Sequence, residues 1–468
     1  MSTEGTPPIN MALIVAIVAV ATIGGFMFGY DSGVINGTQE GLERAFDLSK
    51  VGTGLNVGAI LLGCAVGAFA AGRMADIIGR RRVMMIAALL FILRALGAGG
   101  ATSSMLFIIA RFVSGVGVGA ASVLSPVYIS EVTPAGIRGR LSSIQQIMII
   151  TGITGAFLAN YALAHWAGGS TATFWWGLPT WRWMFWAQVI PALIYFVALL
   201  FIPESPRYLM FKGREAEAQH VLSRLFGEAE ARRKVAQIRA SLATDHQPKL
   251  KDLIDPTTGR LARVVWAGIG LAIFQQLVGI NIIYYYGSVL WQSVGFSEDD
   301  ALKINILSGV LSILACLATF VLIDRVGRKP LLLIGSAGMA ITLTVMPVTS
   351  SLGSLVDGTL QLPPNAGLAA LLAANSYVVF FNVSWGPVMW VMLGEMFPNQ
   401  MRGSGLAVSG LAQWLANFAV SVSFPALAAS IGLVVAYGSW AGGALVSFFF
   451  VRAIVHETRG MELEAMRA

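Results

Sequence analysis

The chain has 468 residues, of which 56% are hydrophobic and only 12% charged. Soluble domains carry about 25% charged residues, so this composition excludes an ordinary water-soluble protein and points to the bilayer. The formal charge of +7 does not signal nucleic-acid binding, because the bases collect in particular loops and form no single basic face.

Apolar runs of about 20 residues, each the length of one membrane span, recur along the chain. They lie near 11–31, 51–71, 83–102, 105–127, 142–164, 182–202, 263–290, 301–323, 330–350, 366–393, 403–425 and 428–451. This predicts an all-α membrane protein of about twelve transmembrane helices. Strands of a closed barrel would alternate with a period of two, which these runs do not.

The first run, Met11 to Tyr30, lacks a basic flank and a clear cleavage site and is expected to be a retained helix. Asp31 follows it directly, among glycines, and apolar character resumes at Val34 and Ile35. Ionisable groups at membrane depth are costly and usually functional. Asp31 is therefore expected to face inward near a cavity, not to sit in an interfacial loop. Arg94 lies far along the third span and is expected to snorkel to the outer interface without a functional role. Arg111 opens the fourth span. Gly115, Gly117 and Gly119 follow it with the spacing of a dinucleotide loop, but no soluble strand–helix unit surrounds them. Small residues there, like Gly63 and Gly67 in the second span, suit close helix packing. The loop from Trp166 to Trp186 is rich in tryptophan, as an outer membrane interface would be.

From Pro203 to about Arg263 the chain turns polar. Arg214 to Phe226 and Glu228 to Leu242 show helical apolar spacing on charged backgrounds, which predicts amphipathic helices against the cytoplasmic side. This insert divides the chain into an N-terminal six-helix bundle (1–202), a cytoplasmic linker (203–262) and a C-terminal six-helix bundle with a short cytoplasmic tail (263–468). Arg73, Arg80, Arg81, Arg82, Arg138, Arg140, Arg325, Arg328, Lys329 and Arg402 all fall in even-to-odd loops. The positive-inside rule makes those loops, and both termini, cytoplasmic in a cell membrane.

Polar residues interrupt the later spans. Gln146 lies in span five, Gln275, Gln276, Asn281 and Tyr285 in span seven, Trp390 in span ten, and Gln413, Trp414 and Asn417 in span eleven. Amides offer donors and acceptors to hydroxyl groups, and an indole face covers the C–H side of a sugar ring. No fixed charge among them suits an anionic substrate. A single amide can simply join helices, but Gln275 and Asn281 are six apart beside Gly279, where the helix can bend around a ligand. Cys64 and Cys316 each lie inside a span and read as small packing residues. The four histidines have no metal spacing. No metal, other cofactor or nucleophile–base constellation is expected, and an enzyme is the least favoured class.

The halves echo each other. Asp76-Ile-Ile-Gly-Arg-Arg follows span two and Asp324-Arg-Val-Gly-Arg-Lys follows span eight; Glu131 to Arg138 and Glu395 to Arg402 follow spans four and ten with identical spacing. Internal repetition of this kind marks secondary transporters, with the substrate site between the halves.

These motifs, with Gly72–Arg81, Pro203-Glu-Ser-Pro-Arg207, Gln275-Gln-Leu-Val-Gly-Ile-Asn281, Trp385-Gly-Pro387 and the tail His456-Glu-Thr-Arg-Gly460, resemble the sugar porters of the major facilitator superfamily over essentially the whole chain. The likeness is strongest to bacterial proton-coupled xylose and glucose transporters. It implies a monosaccharide and protons as partners, in membrane lipid, acting as a monomer and without nucleic acid. It implies sugar contacts at Gln146, Gln275, Gln276, Asn281, Tyr285, Trp390 and Gln413, with Gly386, Trp414 and Asn417 beside them. Ser312 stands where span eight of the family often has Asn. Asp31 and Arg111 match the proton-coupling pair. The charged loop residues Arg73, Asp76, Arg80, Glu131, Arg138, Glu204, Asp324, Arg328, Glu395 and Arg402 match a cytoplasmic gate. The expected function is proton–monosaccharide symport by alternating access; the alternatives are facilitated diffusion by the same fold and a non-transporting sugar sensor.

Overall fold

A computed structural model of the chain describes residues 9–134, 138–244, 249–255, 258–356, 359–398 and 401–459. The first helix, α1 (Met11–Val34), starts where the Asn10 side chain accepts the Leu13 N–H. A 3-10 turn (Ile35–Gly37) and the short α2 (Gln39–Phe46) reverse the chain. Helices α3 (Lys50–Ile78), α4 (Arg80–Gly100), α5 (Ser104–Val132) and α6 (Arg138–Ala167) follow, and Ser49 and Ser103 cap α3 and α5. The sixth span is broken into α7 (Thr180–Ala187) and α8 (Val189–Leu199).

Three helices lie in the polar stretch: α9 (Pro206–Phe211), α10 (Glu215–Phe226) and α11 (Glu228–Thr244). Ala218, Val221, Leu222, Leu225 and Phe226 bury one face of α10. The Asn10 N–H donates to the Leu225 carbonyl, so the start of α1 lies at this end of the bundle.

The second set comprises α12 (Arg263–Leu277), α13 (Ile280–Ser293), α14 (Glu298–Val326), α15 (Arg328–Ser351), α16 (Pro364–Val383), α17 (Trp385–Met396) and α18 (Arg402–Ile454). Eleven helical stretches among the described residues are long and apolar enough to cross a membrane. The last, α18, runs for 53 residues and breaks at Gly432, where φ is 81°, so it makes two passes. The fold is the expected all-α one with about twelve spans. The sequence reading did not foresee a small antiparallel hairpin, β1 (Ser354–Val356) with β2 (Thr359–Gln361), between α15 and α16.

Within each set the helices pack closely through small residues. A Cβ on Gly115 of α5 would lie 2.0 Å from the Ile60 carbonyl oxygen of α3, and one on Gly63 would lie 2.1 Å from the Phe112 oxygen. In lipid, helices gain little hydrophobic free energy by associating, so such contact supplies the attraction.

The two sets join at the end opposite the basic loops. Asn36 is buried there and donates Nδ2 to the Tyr284 carbonyl at 2.9 Å, while its Oδ1 accepts from the Ser288 N–H and from Asn305 Nδ2. Gln39 Nε2 donates to the Tyr285 carbonyl at 2.6 Å. The Ser170 N–H donates to Glu298 and His165 meets Asp299.

Replacing Gly115 by Val should push α3 and α5 apart. Overpacking of this kind typically costs about 1–3 kcal/mol. The expected result is a lower thermal midpoint and reduced monodisperse yield in detergent, measured against Gly72→Ala, where a Cβ meets nothing within 4 Å.

Candidate functional site

Span seven supplies the centre of the site because it is broken. Gly279, at φ 82°, separates α12 from α13, and a Cβ there would strike the Trp440 ring at 2.4 Å. Left-handed backbone and lack of space both require glycine. The break sets Gln275 and Gln276 at the end of one helix and Asn281 at the start of the next. Their amides form a chain: Asn281 Nδ2 donates to Gln276 Oε1 at 2.5 Å, Gln276 Nε2 to Gln275 Oε1 at 3.1 Å, and Gln275 Nε2 to the Trp385 carbonyl at 3.0 Å. Gln413 Nε2 of α18 reaches the same Gln275 oxygen at 3.4 Å.

One turn along α13, Tyr285 is buried and its carbonyl accepts from Gln39 Nε2 of α2. Trp414 packs edge-on against Phe28 of α1, with ring centroids 5.6 Å apart. Both contacts cross between the halves. Gln146 is half-buried on α6, Gly386 is buried at the start of α17, and Trp390 is 39% exposed on α17; none takes part in the amide chain described above. Ser312 is buried and bonds to the Tyr284 hydroxyl at 3.2 Å and to Asn382 Nδ2 at 3.2 Å. Asn382, Asn36 and Asn305 were missed by sequence reasoning, although each is an amide in an apolar run. An apolar cavity of about 250 Å³ between Leu277, Phe424, Leu427 and Trp440 touches none of the site amides.

The second element of the site is a buried charge cluster in the first half. Asp31 is fully buried. Its Oδ1 accepts from Arg111 Nη1 at 3.0 Å and its Oδ2 from Ser114 Oγ at 2.7 Å. Arg111 Nη2 donates to the Val57 carbonyl at 2.9 Å. The expectation for Arg94 is overturned: it does not snorkel. Its side chain is buried, ion-paired with the same Asp31 oxygen, and hydrogen bonded to Gln188 at the α7–α8 break. The signal was present in the spacing. Arg94 is six residues before the end of α4 and Arg111 seven after the start of α5. At 1.5 Å per residue both lie about 10 Å inside the hairpin, at one depth.

The basic end carries two networks of the same design. In the first half Arg80 pairs with Asp76 at 2.8 Å and Glu131 at 3.3 Å; Ser205 donates to Glu131, and Glu204 accepts the Arg80 and Arg81 N–H groups at the start of α4. In the second half Arg328 pairs with Asp324 at 3.0 Å and Glu395 at 2.8 Å; Thr458 donates to Glu395, and Glu457 accepts the Arg328 and Lys329 N–H groups at the start of α15. Among the described residues, none of these named bonds joins the first set of helices to the second. Arg402 donates to the Phe397 carbonyl, Arg73 is exposed, and the side chain of Arg138 lies outside the described residues. Sequence reading missed Glu457 and Thr458 as partners, although His456-Glu-Thr repeats the Pro203-Glu-Ser pattern.

The comparisons with known proteins agree with this geometry. The family model for sugar (and other) transporters matches residues 17–468. This chain is a sugar porter of the major facilitator superfamily. It is 46% identical over 458 residues to a glucose transport protein of Synechocystis, covering 98% of this chain and 97% of that one. It is 37% identical over 495 residues to the D-xylose-proton symporter of Escherichia coli K12, covering 98% and 96%. The inward-open structure of the E. coli xylose transporter XylE superposes with a TM-score of 0.83 at 35% identity, covering 97% of this chain and 99% of that one. The XylE structure bound to 6-bromo-6-deoxy-D-glucose gives 0.78 at 35% identity, covering 98% and 99%.

Glu457 gives this site a checkable pH dependence. Partial burial acts to raise its pKa, but N–H groups of Arg459, Arg328, Lys329 and Thr458 outweigh that and hold it below the usual carboxylate value. A depressed folded pKa adds stability that is present above the unfolded pKa and is lost as pH falls through the folded one. Glu457→Gln should therefore lower the thermal midpoint at neutral pH, by about 1–2 °C for one charged helix cap. The gap to wild type should close in acid, below the ordinary carboxylate range.

Proposed function

We propose that this sugar porter imports a monosaccharide of the D-xylose or D-glucose type by proton symport and alternating access. Residues 1–202 and 263–468 form the two moving bundles, 203–262 the cytoplasmic linker, and the protein works as a monomer in the cell membrane with both termini inside. The observation that carries the proposal is the buried Asp31–Arg111 pair, on a helix α1 that also packs through Phe28 against the amide-bearing α18. An ion pair in the membrane interior bears a desolvation cost that good packing alone would avoid, and a carboxyl whose partner moves can take up and release a proton.

The amides suit a neutral polyol. Gln275, Gln276, Asn281 and Gln413 are hydrogen bonded to one another, with Gln413 Oε1 left without a partner, and each can exchange its bond for one to a sugar hydroxyl at little net cost. Tyr285 and Trp414 touch the first half, and Asn417 lies one turn beyond Trp414 on α18, so a sugar held there would sense the relative position of the bundles. Gln146, Gly386 and Trp390 would complete the wall. The bonds of Asn36 and Gln39 close the end opposite the basic loops, and the high likeness to the inward-open relative fits a cavity facing the cytoplasm. Arg73, Asp76, Arg80, Glu131, Arg138, Glu204, Asp324, Arg328, Glu395 and Arg402 would then serve the cytoplasmic gate, which closes when the cavity faces out.

A second reading shares the fold. The same arginine contacts would also hold Asp31 as a purely structural ion in a facilitator. Uptake by purified protein in proteoliposomes separates the two, with a panel of aldoses competing for labelled sugar. Symport requires labelled sugar to accumulate above its external level when the exterior is acidic, and to equilibrate only when no gradient is imposed. Equilibration under both conditions favours the facilitator.

The amide wall is tested separately. Gln275→Ala and Asn281→Ala each leave buried partners unsatisfied, typically about 1–3 kcal/mol, or roughly tenfold or more in affinity. Both folded variants should bind sugar at least about tenfold more weakly by tryptophan fluorescence or calorimetry. Unchanged affinity across the aldose panel would move the sugar site elsewhere.

A further inference from the structure

Arg94 is 1% exposed and sits on α4, which contributes no side chain to the amide wall described above. Its guanidinium meets the Asp31 oxygen that Arg111 contacts, donates to Gln188 Oε1, and lies 5.0 Å from the Phe185 ring centroid. Helices α4 and α5 thus converge on the carboxylate of α1, and the α7–α8 junction holds Arg94 from the other side.

The charges do not balance. One acid faces two guanidiniums. The other titratable groups around them are Tyr30 on α1, Cys64 on α3, and Tyr285 and Tyr286 on α13. All are of types that are neutral at physiological pH. Helix α6 presents amides to α1: Asn160 bonds the Val34 carbonyl and Gln145 lies at Gly25. Helix α8 presents Tyr195 at Gly24, about two turns from Asp31. The cluster therefore holds one surplus positive charge out of contact with water. Placing a proton on an Asp31 oxygen would leave two cations without a counter-charge.

We propose that Arg94 is a positioning residue of the coupling site, a second cation that opposes protonation of Asp31 and sets the proton concentration at which the carboxylate releases both arginines. This rests on the symport reading. The proton comes from water on one side of the membrane, forms an O–H bond on Asp31, and returns to water on the other side when the guanidiniums close on it again. Because α4 and α5 are both tethered to the same oxygen, one protonation frees both.

The test is the pH profile of proton-driven sugar uptake in proteoliposomes. Arg94→Gln removes the charge and keeps a hydrogen-bonding side chain. The alkaline limb of its profile should move to higher external pH by about one unit or more, the usual effect of one nearby opposite charge. A monodisperse elution in detergent and a wild-type circular dichroism spectrum report that Arg94→Gln folds. Arg94→Lys, which restores the charge, should keep the wild-type limb. Gln188→Glu covers the case in which Arg94→Gln does not fold: it sets a carboxylate against Arg94 in place and should move the limb in the same direction. If wild type accumulates sugar but the limb is unmoved in folded Arg94→Gln, or in Gln188→Glu when Arg94→Gln does not fold, Arg94 has no such role and symport stands. If wild type accumulates no sugar under the gradient, symport and the role of Arg94 fall together.

Discussion

A carboxylate cannot stay ionised in the interior of a membrane protein unless the surrounding helices hold it. Asp31 is held by Arg111, Arg94 and Ser114, from two helices other than its own. That requirement ties the first, third and fourth spans together, and Arg111 draws in the second through the Val57 carbonyl. Helices α3 and α5 must approach to backbone contact for Arg111 to reach both Asp31 and the Val57 carbonyl. The close packing and the charge cluster are thus one arrangement. A bulky residue at Gly115 and a neutral one at Asp31 would disturb it from opposite sides.

The second half solves a different problem with broken helices. Spans seven and ten are interrupted at Gly279 and Ser384, and span seven turns its amides inward at the break. Non-helical backbone at membrane depth is tolerated where it is enclosed by protein or lines a cavity. Trp414 carries the amide-bearing half across to α1, on which Asp31 sits, through its edge-on contact with Phe28. The amide wall and the acid are therefore joined through a single helix. This gives a physical route by which occupancy of one can bias the other, provided the halves have two discrete arrangements.

Much of this was legible in the sequence. Apolar runs gave the spans, and the doubled Asp-to-Arg and Glu-to-Arg motifs gave the repeat. The structure then joined Arg80 to Asp76 and Glu131, and Arg328 to Asp324 and Glu395. The amides of span seven stood out because their polarity has no reason to face lipid. What escaped notice had a common cause: depth and partner choice across helices depend on tertiary contact. Arg94 was read alone, as a long side chain near an interface, when its matched depth with Arg111 across a short turn marked it as a partner of Asp31. Asn36, Asn305 and Asn382 were passed over because one amide in a span is ordinarily helix–helix glue. For Asn36 that is its visible role here, except that the helices it joins belong to different halves. The β1–β2 hairpin left no trace because three-residue strands carry too little pattern to detect.

The central claim is that Asp31 carries the proton. Asp31→Asn tests it most directly, because the amide keeps the size of the acid, resembles its protonated form and cannot exchange a proton. The measurement sets labelled sugar uptake into proteoliposomes with an acidic exterior against exchange in vesicles preloaded with the same sugar. The account predicts that concentrative uptake vanishes in Asp31→Asn while exchange survives, since the span-seven amides are untouched. Accumulation of sugar above its external level by Asp31→Asn at the wild-type rate would contradict it.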